Sequence, residues 1–172
     1  MNKKKLKYRV TYLEMNKQPN FDWPKNLKHK LSILLAESFP AWYFLFFYKQ
    51  VGKNYYWTDW LRKSEDEIDE FVNDKNVLLY TLIKDGWPVG FYMLDYRKKD
   101  ICDLSFFGLV DEVIGIGLGK YLLQTAILTA WDNKKIKKLT VNTCSLDHKS
   151  AIYLYQKYGF TPVKYKDLEK TV

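Results

Sequence analysis

Three glycines at alternate positions, Gly115, Gly117 and Gly119, precede Lys120 and an apolar helical run in the stretch EVIGIGLGKYLLQTA, residues 112–126. Glycines at this spacing keep side chains away while successive backbone N–H groups face one point at a helix N-terminus, where they and the helix dipole favour an anion. A tight strand-to-helix turn needs only one glycine; three predict an anion site. Two familiar phosphate loops fail on spacing. A dinucleotide fingerprint reads G-x-G-x-x-G, and here the third glycine comes one residue early. A P-loop ends in Gly-Lys-Ser or Gly-Lys-Thr, and here Gly119-Lys120 is followed by Tyr121. The remaining reading is a pyrophosphate held by backbone amides.

The run from strand to helix reads Leu109-Val110-Asp111-Glu112-Val113-Ile114-Gly115-Ile116-Gly117-Leu118-Gly119. A second run downstream reads His148-Lys149-Ser150-Ala151-Ile152-Tyr153-Leu154-Tyr155-Gln156-Lys157-Tyr158-Gly159-Phe160. Together the two resemble the GNAT superfamily of acyl-coenzyme A-dependent N-acetyltransferases. That family's patterns are Val-x-Pro-x-x-(Arg/Gln)-Gly-x-Gly-x-Gly and Asn-x-x-Ala-x-x-Leu-Tyr-x-Lys-x-Gly-Phe. The resemblance covers residues 77–163 well and residues 1–76 only by element order. Asp111 stands in place of the family's Pro, Ile114 of its Arg or Gln, and His148 of its Asn.

The resemblance implies that the anion is the pyrophosphate of acetyl-CoA. It implies a cofactor site along Phe107, Leu109 and Val110 of the fourth strand, the loop Ile114, Gly115, Ile116, Gly117, Leu118, Gly119 and Lys120, and His148, Ser150 and Tyr155. In the family the pantetheine arm pairs with the fourth strand where it splays from the fifth. Gly108 within SFFGLV suggests a bulge or close backbone approach, which would free the Leu109 N–H to polarise the thioester carbonyl. The resemblance makes Tyr155 the general acid at the leaving sulfur; without it, Tyr155 reads as a core aromatic on the face Ala151, Leu154, Tyr155, Tyr158. Asp103, Glu112 and His148 are candidates for the base, each also readable as a surface or capping residue. Deprotonation through water is the alternative. Cys144 reads as a structural thiol.

The resemblance also implies that the aromatic block of residues 39–61 forms the acceptor's wall, with Trp42, Tyr55, Trp57 and Trp60 as expected contacts and Asp59 as a carboxylate for a cationic amine. The alternative for this block is an aromatic core plus a homodimer interface.

These residues need elements to hold them. Period-two patterns predict strands at 7–15, 77–86, 88–96, 101–110, 137–145 and 161–168, with a hairpin at Asp85-Gly86-Trp87. Period 3.6 predicts helices at 25–39 (Leu27, Leu31, Leu34, Leu35, Ser38), 64–74 with a Ser64–Glu67 capping box, 119–134 and 148–159. Gly159 reads as the residue closing the last helix, with Phe160 packing back on it. The expected fold is a single α/β (α+β) domain over residues 1–172. It has a mixed, mostly antiparallel sheet of six to seven strands, splayed between the fourth and fifth, and helices on both faces.

With 172 residues, 47% hydrophobic, the chain is long enough for one self-sufficient core. Its formal charge of +8 favours anionic partners, and the basic start MNKKKLKYR is followed by no apolar segment. No run of 18 apolar residues occurs, so no membrane span is expected. Cys102, Cys144, His29 and His148 show no metal-ligand or disulfide spacing, and the chain reads as cytoplasmic with reduced thiols. The function expected is transfer of an acetyl group from acetyl-CoA to a small-molecule amine. The alternatives are acetylation of protein or peptide amines and an acetyl-CoA sensor or scaffold without turnover. A nucleic-acid binder is suggested by charge alone and lacks basic residues interleaved with aromatics along one element.

Overall fold

The computed structural model describes residues 5–25 and 29–171. The expected helix residue Leu27 and residues 1–4 of the basic start lie outside them. One mixed sheet of seven strands runs in the order β2-β3-β4-β5-β6-β1-β7. The strands are β1 (Lys5–Met15), β2 (Leu31–Ala36), β3 (Val77–Lys84), β4 (Trp87–Asp95), β5 (Ile101–Leu109), β6 (Lys138–Cys144) and β7 (Thr161–Thr171). The helices are α1 (Ala41–Gly52), α2 (Glu65–Val72), α3 (Leu118–Asp132) and α4 (Ala151–Lys157). All strand pairs are antiparallel except β5–β6. Among the described residues no helix is long and apolar enough to cross a membrane.

β4, third in that order, is buried on both faces, which its apolar run VGFYML requires. Phe91 and Met93 point to one side, into a core with Phe44, Phe47, Tyr48 and Val51 of α1 and Ile68, Phe71 and Val72 of α2. Tyr92 and Leu94 point to the other, into a core with Leu122, Leu123, Ala126, Ile127 and Ala130 of α3. The aromatic block thus becomes mostly helix. Ala41, Phe44, Phe47, Tyr48 and Val51 recur at helical spacing and are buried. Burying each phenylalanine contributes roughly 1.5–3 kcal/mol.

The helix expected over 25–39 is corrected by the structure: residues 31–36 are the edge strand β2, paired antiparallel with β3 from Leu31↔Lys84 to Ala36↔Leu79. Leu31 and Ile33 are half-buried and Ser32 and Leu34 exposed, a period of two rather than 3.6. Leucine is a good helix former, but propensity yields to tertiary context, and the open edge of β3 overrides it here. The capping box on α2 forms as expected, with the Glu67 N–H donating to Ser64 Oγ at 3.3 Å and the Ser64 N–H to Glu67 Oε2 at 3.0 Å.

Gly108 is not the bulge. The β4–β5 register passes from Met93↔Phe106 to Leu94↔Leu104, so the extra residue is Ser105. Gly108 instead lets α1 approach: a Cβ there would stand 2.3 Å from Val51 Cγ1. Val51 is β-branched and cannot swing aside. Gly108→Ala should therefore overpack this contact by about 1–3 kcal/mol. The melting temperature should drop by roughly 2–4 °C per kcal/mol, and a second change, Val51→Ala, should restore part of it. An unchanged melting temperature would contradict this packing.

Candidate active site

β5 and β6 pair in parallel for only three residues, Ile101↔Lys138 to Asp103↔Thr140. Beyond them both strands continue, β5 to Leu109 and β6 to Cys144, without pairing to each other. β5 keeps β4 on its other side, and β6 keeps β1. The sheet therefore opens into a cleft. Asp103 sits where the strands part. Its carboxylate accepts hydrogen bonds from Thr140 across the fork and from Ser105 Oγ at 2.9 Å.

The open side of β5 presents backbone donors. The Val110 N–H donates to Val89 O at 2.9 Å. Counting back along the antiparallel register, the N–H groups of Gly108 and Phe106 also face β4, so those of Leu109 and Phe107 face the cleft. Phe107, Gly108 and Leu109 line it, whereas Val110 is buried.

The cavity is about 590 Å³. One end is the glycine loop. Gly115 and Gly117 have φ of +89° and +91°, a left-handed backbone that suits glycine, and no atom would stand within 4 Å of a Cβ at either. Gly117 is the N-cap of α3. The N–H groups of that helix's first turn, from Leu118 on, have no partner within the helix. Ile114, Gly115, Gly117, Gly119 and Lys120 line the cavity, and so does Lys157 of α4, a cation that reasoning from the sequence missed. The Ile116 side chain is exposed and that of Leu118 buried in the core. Asp111 is braced by Lys53 Nζ at 3.1 Å and Asn54 Nδ2 at 2.7 Å, which ties the loop to the end of α1.

The cavity is also lined by Val51, Tyr55, Trp57, Asn142, Thr143, Asp147 and His148. Tyr155 faces the cleft from α4. Its ring is pinned edge-on against Phe107 (centroids 6.1 Å apart) and Phe160 (5.8 Å). Its carbonyl accepts from the Phe160 N–H at 3.1 Å while Gly159, at φ +102°, closes the helix as expected. Only 5% of Tyr155 is exposed. Among the described residues its hydroxyl has no hydrogen-bond partner. Burial, then the negative charge of Asp147, push that phenol upward from its ordinary value.

His148 uses its ring as an asparagine uses its side-chain oxygen: Nδ1 accepts from the Ser150 N–H at 3.3 Å and lies 2.7 Å from Ser150 Oγ. The His148 ring lines the cavity. Glu112 is exposed and does not line the cavity.

Three expected acceptor contacts lie elsewhere. Trp42 is 66% exposed on α1, on the face turned away from the core. Trp60 packs on Phe71 (4.6 Å), Phe44 (5.2 Å) and Phe106 (5.9 Å), as part of the core. Asp59 is paired with Lys170 Nζ at 3.7 Å. The structure puts Asp147 in the cavity instead. It sits directly before His148 in sequence, and no spacing rule pointed to it.

Comparison with family models matches residues 36–160 to the acetyltransferase (GNAT) family. The chain belongs to the GNAT family. Solved structures agree on the fold. A functionally unknown conserved protein from Staphylococcus epidermidis is 13% identical with a TM-score of 0.65, over 96% of this chain and 62% of that one. A GCN5-related N-acetyltransferase from Kribbella flavida is 14% identical with a TM-score of 0.62, over 95% of this chain and 57% of that one. This chain thus spans about 60% of the length of those two. A GNAT family acetyltransferase from Elizabethkingia anophelis, solved with acetyl-CoA bound, is 24% identical with a TM-score of 0.56, over 78% of each chain. A comparison with curated proteins finds no match.

The family uses acetyl-CoA, and the residues present fit it. An open glycine loop at a helix N-terminus suits a pyrophosphate, with Lys120 and Lys157 on the cavity wall as further cations. An unpaired strand edge suits the amide-bearing pantetheine arm, which can bond to it as a further strand would. The family that matches is one of acetyltransferases.

Proposed function

We propose that the chain transfers the acetyl group of acetyl-CoA to the nitrogen of a small-molecule amine, by direct attack with both substrates bound. The observation that carries this reading is Tyr155, whose ring is buried and whose hydroxyl has no partner among the described residues, on the wall of the same cavity as a strand edge whose Leu109 N–H is free. When bound, acetyl-CoA supplies an activated thioester carbon. The glycine loop and the first turn of α3 hold its diphosphate. Phe107 and Leu109 hold its arm along β5, and the Leu109 N–H is the donor for the carbonyl oxygen, where negative charge grows. Tyr155 Oη hands its proton to the departing sulfur. His148, with Nδ1 occupied, orders the start of α4. The amine's own proton leaves to water.

A sensor that only holds acetyl-CoA needs the glycine loop but gains nothing from an unpartnered phenol. The test is a panel of small amines incubated with acetyl-CoA, read by thiol release and by the mass of the product. Amine-dependent thiol release with the acetamide as product supports the reading. Tight coenzyme A binding with no acetamide from any amine would favour the sensor.

A further inference from the structure

The cavity wall holds one carboxylate, Asp147, and its setting is unusual. Oδ1 accepts from Trp57 Nε1 at 3.1 Å. Oδ2 accepts from Thr143 Oγ1 at 2.8 Å and from the Cys144 N–H at 2.7 Å. Three of roughly four lone-pair positions are filled, so the group is held rigidly. All three donors are neutral, and among the described residues no Lys or Arg pairs with it. The charge is thus oriented but not neutralised. Its field acts on its surroundings: after burial it helps push Tyr155 upward, and it acts on Tyr55 after burial and Asp111. The cations of the cavity wall, Lys120 and Lys157, belong to other segments: Lys120 begins α3, and Lys157 ends α4, a helix about 10 Å long whose far end follows Asp147. The cavity wall therefore carries its cations on α3 and at the end of α4, and its carboxylate just before α4.

We propose that Asp147 selects the acceptor by taking a second cationic group on it, so that amines with two cationic centres are preferred over monoamines. The reacting nitrogen is not the partner of Asp147. It must arrive neutral to attack, and a carboxylate beside it would hold its proton. Trp57 fixes the carboxylate, and Tyr55 and Trp57 give the chain between the two nitrogens an apolar wall. The proposal rests on the acyl-transfer reading.

The test compares 1,5-diaminopentane with pentylamine, which has the same chain and one charge fewer. The wild-type protein should show a kcat/KM ratio for the diamine well beyond the doubling that two equivalent amines give. Asp147→Asn should lower that ratio at least tenfold, a loss of about 1.4 kcal/mol, while Asp147→Glu keeps part of it. A ratio unchanged in Asp147→Asn overturns the proposal. A second arm needs no turnover: calorimetric titration of the diamine into coenzyme A-saturated protein. Binding in the wild type that Asp147→Asn weakens tenfold or more supports the proposal. Equal binding, or none in the wild type, overturns it. Absence of thiol release with either amine would count against acyl transfer, and the calorimetry would still decide on Asp147. If Asp147→Asn does not fold, the wild type serves: raising salt from about 0.01 M to about 1 M shortens the screening length from about 30 Å to about 3 Å. The diamine preference should then shrink; a constant preference overturns the proposal.

Discussion

Tyr155→Phe should lower kcat by about 10²–10⁴-fold, the range for loss of a general acid. The substitution removes one oxygen and keeps the ring against Phe107 and Phe160. The hydroxyl has no hydrogen-bond partner to leave stranded, so the melting temperature and coenzyme A affinity should hardly move. The effect should be larger for acyl donors with poorer leaving groups. The pH profile gives a second check. Burial and the charge of Asp147 raise this phenol above its ordinary value, so it keeps its proton through neutral and moderately alkaline pH and loses it only above the raised value. No fall in kcat should therefore appear near pH 10 that Tyr155→Phe removes. Wild-type kcat in the variant, in an assay limited by chemistry, would take Tyr155 out of the mechanism.

Gly117→Val should weaken acetyl-CoA binding roughly 10- to 150-fold. The residue caps α3 at φ +91° and lines the cavity, and a Cβ there would enter open space. A β-branched residue in this backbone region is strained by about 1–3 kcal/mol. Turning the loop away costs at least one charge-assisted hydrogen bond, about 1.5–3 kcal/mol. Gly86→Val is the matched control. Gly86 has the same φ of +91° and nothing within 4 Å of its Cβ, but lies in the β3–β4 hairpin. Both variants should lose similar stability, read by melting, and only Gly117→Val should lose affinity, read by calorimetry. Equal affinities would leave the loop as a turn and nothing more.

The parts of this site visible in the sequence are the local ones. Gly115, Gly117 and Gly119 act through backbone conformation, which spacing reveals. Tyr155, Gly159 and Phe160 form one helix end, written in consecutive residues. The strands flanking the cleft showed their period of two. The parts that were hidden depend on distant partners. The bulge at Ser105 exists only against Met93 and Leu94 of β4. β2 is a strand because β3 offers it an edge, and its leucines alone read as helix. Trp60 and Trp57 lie three residues apart; one stacks in the core on Phe71, and the other reaches Asp147, 90 residues away. Neither fate could be told from residue type. Asp59 and Asp147 are both single carboxylates near aromatics in sequence or space, and only packing decides which one faces the cavity.

The most direct test of the central claim, that the opened edge of β5 seats the thioester, is a structure of the protein crystallised with acetyl-CoA. The diphosphate should lie on the amides of residues 115–120. The arm should hydrogen-bond to the β5 edge at Phe107 and Leu109, with the carbonyl oxygen on the Leu109 N–H and the sulfur within hydrogen-bond reach of Tyr155 Oη. A cofactor bound outside the β5–β6 cleft, or with its sulfur directed away from Tyr155, would contradict the claim.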